Sequence, residues 1–248
     1  MSELQHPDSR SFELVADVYE RARPEYPPEA VAWIAEKLDL RTSRTVLDLG
    51  AGTGKLTRAL VKTGAHVMAV EPGEAMLAQL KLAVPNVEAL HGAAEAIPLP
   101  DASVDAVTVG QAFHWFRHDE AIPELHRVLR LGGGVALVWN MRDQDSTLQR
   151  KISDLIAPLA AGRAVAQDTN RFLAESGLFG PVEERRFSFV HELDADAFVD
   201  RILSNSFVAA APAETRAELA RKLRELAAAE GGLVAFPYVT DVYVSRAV

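Results

Sequence analysis

The stretch Thr45-Val-Leu-Asp-Leu-Gly-Ala-Gly-Thr-Gly-Lys-Leu-Thr57 decides the fold of this chain. Residues 45–49 form a short, mostly apolar run, which predicts a buried strand. Gly50, Gly52 and Gly54 then predict a turn that carries almost no side chains. Glycine permits positive φ angles and lets a ligand approach the main chain closely, so the turn is a candidate ligand-binding corner.

A helix is predicted directly after the glycines, with one apolar side and one basic side. The apolar residues are Leu56, Leu60 and Val61, and the basic residues are Lys55, Arg58 and Lys62. The free amides at the start of such a helix favour an anion or a carboxylate. Strand, turn and helix in this order therefore predict a nucleotide-binding corner.

Several ligands can be weighed against the glycine pattern. A phosphate-binding P-loop needs Ser or Thr directly after Gly-Lys, but Leu56 follows Gly54-Lys55 here. It also needs a glycine five residues before the glycine of Gly-Lys, and that place is Leu49. The dinucleotide pattern needs a third glycine where this chain has Lys55, which makes a pyrophosphate less favoured. A turn that serves only tight strand-to-helix packing remains an alternative.

Glu71 further limits which ligand the glycine turn could bind. It closes a second apolar strand, residues 66–70, about 20 residues past the glycines. From that place a carboxylate accepts hydrogen bonds from ribose hydroxyls. A ribose-bearing ligand is therefore favoured.

Four motifs in order resemble those of class I S-adenosylmethionine-dependent methyltransferases of the small-molecule, type 11-like kind. They are residues 46–54, residues 67–72, residues 92–101 with 104–111, and residues 127–135. The resemblance covers residues 45–139 firmly and the flanks more loosely. It implies an α/β fold, a doubly wound, seven-stranded, mostly parallel Rossmann-like sheet that ends in an antiparallel hairpin.

The resemblance also implies a set of cofactor-binding residues. The amino-acid tail and ribose would lie against Asp48, Gly50, Ala51, Gly52, Thr53, Glu71 and Pro72, the adenine against Ala94 and Glu95, and the methionine part against Gln111. Tyr19 and Arg23 would face the methionine carboxylate, as a Tyr…Arg-Pro stretch does in related enzymes. An ordinary amphipathic helix with a solvated Arg23 is the alternative.

The segment from residue 110 to 116 concentrates three aromatic residues and a histidine after the fourth predicted strand. Ligands bind outside the carboxyl ends of strands in such sheets, so His114 and Trp115 are candidate acceptor-binding residues. His114 is also the candidate general base, since histidine ordinarily titrates near pH 6.5. Asn140, after the fifth strand, is a third candidate. The alternatives are a core aromatic cluster with a hydrogen-bonded His114, and a solvent-exposed Asn140.

The remaining periodicities predict further elements. Helices are expected over residues 11–21, 30–40, 119–130, 146–158, 168–176, 193–206 and 213–229. The glycines Gly132-Gly-Gly134 are expected to end the helix over residues 119–130. Strands are expected over residues 87–90, 104–109, 135–139, 182–190 and 239–244. Residues 1–248 are expected to form one domain. Within it, residues 1–40 would be N-terminal helices or a lid, residues 41–140 the cofactor-binding core, and residues 141–248 the substrate-side helices and terminal hairpin.

Composition limits the partners. With 26 basic and 35 acidic residues the net charge is −9, which argues against a nucleic-acid surface and favours a small-molecule substrate. The chain has no cysteine, so a thiolate nucleophile and a zinc-thiolate site are excluded, and no metal is expected. No apolar run reaches the roughly 20 residues of a membrane span. A cytoplasmic monomer or homodimer is the expectation.

The predicted function is methyl transfer from S-adenosylmethionine, giving S-adenosylhomocysteine, to an oxygen, nitrogen or carbon nucleophile of a small molecule, carboxylates included. A non-catalytic module that binds S-adenosylmethionine is one alternative. An NAD-dependent oxidoreductase is another.

Overall fold

A seven-stranded sheet forms the centre of the molecule. The computed structural model describes residues 23–160 and 171–248. The strands are β1 (Thr45–Leu49), β2 (His66–Glu71), β3 (Glu88–His91), β4 (Val104–Gly110), β5 (Leu129–Arg142), β6 (Glu183–Asp194) and β7 (Leu233–Arg246).

Helices connect most of these strands. In the described residues they are α1 (Pro28–Leu38), α2 (Lys55–Val61), α3 (Glu74–Ala83), α4 (His118–Val128), α5 (Thr147–Ala160), α6 (Arg171–Glu175), α7 (Ala195–Leu203), α8 (Ser206–Ala209) and α9 (Ala213–Ala229), with a 3₁₀ turn at Phe113–Trp115. The helix predicted over residues 11–21 lies outside the described residues.

The strand order is β3-β2-β1-β4-β5-β7-β6. Strands β1 to β5 pair in parallel, and β7 is antiparallel to both β5 and β6. The predicted α/β fold, doubly wound and mostly parallel, is confirmed. The chain moves outward in one direction from β1 to β3 and then returns to place β4 on the other side of β1, so a crevice opens where β1 and β4 end.

Three apolar clusters fill the interior. The alternation along β1 sends Val46 to a cluster shared with α1 and α2, and Leu47 to a cluster shared with α4. Both faces of the sheet are therefore covered, as a parallel sheet requires. The third cluster is separate and lies between α5, α7, α9 and the adjoining ends of β6 and β7.

The three glycines at residues 132–134 do not end a helix, and this prediction was wrong. Helix α4 ends at Val128 and the glycines lie inside β5. A Cβ on Gly133 would come within 2.9 Å of the Asp105 carbonyl oxygen, and a Cβ on Gly134 within 2.7 Å of the Ser245 carbonyl oxygen. These two glycines allow close approach of the neighbouring backbones.

The two sides of α2 also differ from the prediction. Val61 is 43% exposed, whereas Lys55 is 9% exposed. Lys55 is the first residue of α2, and its chain turns toward the crevice, where its ammonium contacts Glu25. The helix predicted over residues 193–206 is shorter than expected. Asp194 ends β6 and caps α7 by accepting a hydrogen bond from the Ala197 amide, and α7 ends at Leu203.

None of the helices in the part of the chain that the structure describes is both long and apolar enough to cross a membrane.

Candidate active site

A cavity of about 310 Å³ opens at the carboxyl ends of the central strands. It brings together most of the residues predicted from the sequence, which are Arg23, Asp48, Gly50, Ala51, Gly52, Thr53, Glu71, Pro72, Ala94, Glu95, Gln111, His114, Trp115 and Asn140. Tyr19 lies outside the described residues. Segments that are far apart in sequence thus meet at the crevice expected from the strand order.

Glu71 ties the glycine turn to the end of β2. One carboxylate oxygen accepts a hydrogen bond from the Gly52 amide and the other from the Gly73 amide, each at 2.8 Å. Glu71 is only 8% exposed. The two amides therefore hold the carboxylate of Glu71 in place at the wall of the cavity.

The turn itself is held in one shape by the backbone. The amides of Gly50 and Ala51 both donate to the Val70 carbonyl oxygen, at 2.8 and 3.1 Å. Gly50 has φ +67°, and a Cβ there would lie 2.7 Å from the Ala112 Cβ. Gly52 has φ +57°, but a Cβ on it would meet no atom of residues 23–160 and 171–248 within 4 Å. Room therefore remains beside the main chain at Gly52, on the wall of the cavity.

Asp48 lies beneath the turn and is 1% exposed. Its carboxyl oxygens accept hydrogen bonds from the hydroxyls of Thr57, at 2.6 Å, and Thr108, at 3.2 Å. Burial raises the pKa of Asp48 to about 7, although these two hydroxyls oppose the rise. The residue thus joins β1, α2 and β4 and carries a proton over part of the neutral range.

The predicted adenine-binding pair, Ala94 and Glu95, lines the same cavity as Glu71. Ala94 is buried, and Glu95 is half-buried with its Oε1 atom accepting a hydrogen bond of 2.8 Å from the Arg117 amide. This bond fixes the carboxylate at the cavity wall. A main-chain amide beside a fixed acceptor suits the edge of a neutral purine.

Gln111 directly follows β4, and Asn140 lies near the end of β5. Gln111 has φ +61°, a left-handed conformation that is uncommon for a residue with a side chain. Its Nε2 atom donates to the Asn140 carbonyl oxygen at 2.9 Å. The Asn140 side chain accepts from Thr240 at 2.6 Å and donates to the Glu25 carbonyl oxygen at 3.4 Å, so its amide is already engaged within the protein. Its role in substrate binding stays a prediction.

Aromatic rings form another part of the wall. The His114 ring centroid lies 4.3 Å from that of Trp115 and 5.3 Å from that of Trp139. Phe116 and the fully buried Phe113 pack behind them in an edge-to-face pair. His114 and Trp115 are half-buried, line the cavity, and are therefore both part of a core aromatic cluster and accessible to a ligand.

Sequence reasoning missed several cavity residues. They are Pro24, Tyr26, Lys55, Leu56, Gly73, Met76, Ala93, Gly110, Ala112, Phe116, Arg201, Asn205, Phe207 and Tyr238. Most of those between Pro24 and Phe116 are neighbours, along the chain, of residues that were predicted to bind the ligand. This adjacency could have identified them. Arg201, Asn205, Phe207 and Tyr238 come from α7, α8 and β7, whose sequences carry no motif.

The fold and the crevice define an α/β protein with a doubly wound, Rossmann-like sheet. Residues 47–137 match the sequence profile of the methyltransferase domain. A Mycobacterium tuberculosis protein named an uncharacterized methyltransferase is 41% identical over 237 residues, covering 94% of this chain and 93% of that protein. This chain belongs to the methyltransferase family.

Solved structures agree with this assignment. A structure from Anaeromyxobacter dehalogenans, provisionally assigned as a Type II methyltransferase, has a TM-score of 0.64 and 30% identity, covering 91% of this chain and 97% of that one. A [4+2]-cyclase has a TM-score of 0.60 at 15% identity, with 99% of each chain covered. The second likeness shows the fold alone, and it illustrates that one fold can carry different reactions.

The raised pKa of Asp48 predicts a pH-dependent stability. The native carboxyl binds its proton up to about pH 7, whereas the ordinary value is 3.8, so unfolding releases a proton between these limits. Stability attributable to Asp48 therefore falls as the pH rises, by up to about 1.4 kcal/mol per pH unit. Urea unfolding at pH 4 to 8 measures this effect. The free energy of unfolding of Asp48→Asn, minus that of wild type, should increase as the pH rises across this window.

Asp105→Asn is the matched control. The Thr45 amide and the guanidinium groups of Arg44 and Arg130 lower the pKa of Asp105, although burial opposes them. Its contribution is therefore present above about pH 4 and is lost as the pH falls, which is the opposite sign. Parallel pH profiles for wild type and Asp48→Asn would contradict the account of Asp48.

Proposed function

We propose that this methyltransferase uses S-adenosylmethionine and transfers its methyl group to a small-molecule acceptor. The observation that supports this most strongly is the position of Glu71, which ends β2 and faces the cavity while it fixes the glycine turn of β1. A ribose with two free hydroxyls suits such a carboxylate.

The residues of the cavity suit the other parts of the same molecule. Beside Gly52 the main chain borders open space, which leaves room for the amino-acid tail. Ala94 and Glu95 offer an amide and a carboxylate to the adenine, and Gln111 lies at the neighbouring strand end. These assignments are part of the proposal.

S-adenosylmethionine, when bound, would supply a sulfonium methyl group for in-line transfer: the acceptor's nucleophile bonds to the methyl carbon while the carbon–sulfur bond breaks, and the electron pair of that bond leaves with the sulfur of S-adenosylhomocysteine. Positioning of the acceptor and exclusion of water are the main demands on the protein. The rings of His114 and Trp115 offer apolar and π surface at the cavity, and Trp139 packs against His114. Electron-rich aromatic faces favour a nearby positive centre.

The proton requirement depends on the acceptor. An acceptor that is already an anion needs no base, whereas a hydroxyl or amine must lose a proton as the new bond to carbon forms. His114 is the titratable side chain proposed to take that proton.

Two measurements test the proposal. Calorimetry should show binding of S-adenosylhomocysteine and no binding of NAD, because Lys55 occupies the place of the third glycine in the dinucleotide pattern. Incubation with methyl-labelled S-adenosylmethionine and an extract of small metabolites should give labelled small molecules. Binding without any transfer would indicate a non-catalytic module, and binding of NAD alone would reverse the assignment.

Glu71→Ala tests the proposed ribose contact. Loss of a hydrogen bond to a charged group typically costs about 1.5–3 kcal/mol, so S-adenosylhomocysteine should bind roughly 10 to 150 times more weakly. Glu74→Ala is the control, since Glu74 begins α3 nearby but is exposed and does not line the cavity. Equal affinities for wild type and Glu71→Ala would remove Glu71 from the site.

A further inference from the structure

Arg201 is a buried cation on the wall of the cavity. It lies on α7, is only 3% exposed and lines the same cavity as Glu71 and His114. Its Nε atom donates to the Tyr238 hydroxyl, and its Nη1 atom donates to Asn205 Oδ1 at 3.2 Å. Both acceptors are neutral.

No carboxylate forms an ion pair with Arg201 in residues 23–160 and 171–248. Arginine is almost never fully buried without a counter-charge, because removal of the guanidinium from water is costly. The faces of Phe236 and Tyr238, with ring centroids 5.9 and 5.6 Å from the guanidinium carbon, compensate only in part. The charge of Arg201 is therefore incompletely balanced.

A second arginine, Arg142, adds positive charge near Arg201. Arg142 is half-buried and contacts Gln149 Oε1 at 3.4 Å and Ser153 Oγ at 3.1 Å, which are neutral as well. Burial, followed by the charge of Arg201, lowers the pKa of Arg142 to about 10. Lys55, by contrast, has Glu25 as its counter-charge.

Asn205 lies between two guanidinium groups. Its Oδ1 atom is 3.2 Å from Arg201 Nη1 and 3.5 Å from Arg23 Nη2. Two cations thus converge on one neutral oxygen at the cavity wall. A carboxylate or phosphate placed there would supply the negative charge that Arg201 lacks and match its planar fork.

We propose that the methyl acceptor is a small organic anion whose carboxylate or phosphate group is bound by Arg201, beside Asn205 and Tyr238. This rests on the proposed function, because it names the acceptor class of the same site.

The location favours the acceptor over the cofactor as the source of the anion. Most of the cofactor residues proposed above follow β1, β2, β3 and β4, whereas Tyr238 is on β7, beyond β5 in the sheet. Arg23, which is expected at the methionine carboxylate, reaches Asn205 from the cofactor side. Arg201 and Asn205 belong to the helical segment between β6 and β7. The two groups of residues therefore form different walls of one cavity.

The test uses matched anionic and neutral probes in calorimetry. Benzoate, phenyl phosphate and succinate are compared with benzamide, benzyl alcohol and succinamide, each titrated into protein with and without saturating S-adenosylhomocysteine. Wild type should bind at least one anion ten or more times more tightly than its neutral counterpart. The benzoate and phenyl phosphate titrations distinguish a carboxylate site from a phosphate site.

Arg201→Gln should abolish the preference for anions and leave the affinity for S-adenosylhomocysteine within about twofold of wild type. The control Arg150→Gln removes an exposed arginine of α5 and should keep the preference. Equal binding of anionic and neutral probes by wild type would overturn the proposal. A large loss of S-adenosylhomocysteine affinity in Arg201→Gln would also overturn it, because Arg201 would then bind the cofactor.

Two further measurements apply if Arg201→Gln does not fold. Arg201→Lys keeps the charge and should retain part of the preference for anions. In wild type, the anions should raise the midpoint temperature of unfolding more than chloride or the neutral probes do at equal ionic strength. Equal midpoint temperatures with all of these additives would contradict the proposal. Failure of wild type to bind S-adenosylhomocysteine would refute the proposed function alone, since the titrations without it still test Arg201.

Discussion

The two hydrogen bonds from the Gly52 and Gly73 amides to Glu71 are the constraint on which the site depends. They join the turn after β1 to the loop after β2 and hold a buried carboxylate at the crevice created by the strand order. Without this carboxylate the two amides would lack their acceptors, and an unsatisfied buried donor costs about 1–3 kcal/mol. One side chain thus shapes the turn and presents acceptor oxygens to a ligand.

The cavity has two electrostatically different walls. The wall formed by the ends of β1 and β2 carries carboxylates, whereas the wall formed by α7 and β7 carries Arg201 among aromatic rings. Such a division allows one cavity to orient two ligands of unlike charge. The apolar cluster between α5, α7, α9 and the strand ends supports the second wall independently of the sheet core.

The sequence predicted the first wall better than the second. Glycines at fixed offsets after an apolar strand leave few conformations, so the turn at residues 50–54 and the place of Glu71 could be derived locally. Arg201 and Tyr238 meet only because β7 inserts between β5 and β6, a long-range pairing that no local pattern reports. The glycines of β5 were misinterpreted for the same reason, since they accommodate strands distant in sequence. The roles of Tyr19 and Asn140 stay predictions.

The most direct test of the central claim is a crystal structure of the protein with S-adenosylhomocysteine. The account predicts both ribose hydroxyls within about 3 Å of the Glu71 carboxylate oxygens, the adenine beside Ala94 and Glu95, and the sulfur directed toward the His114 and Trp115 rings. A nucleoside bound elsewhere, with neither ribose hydroxyl within hydrogen-bond distance of Glu71, would contradict it.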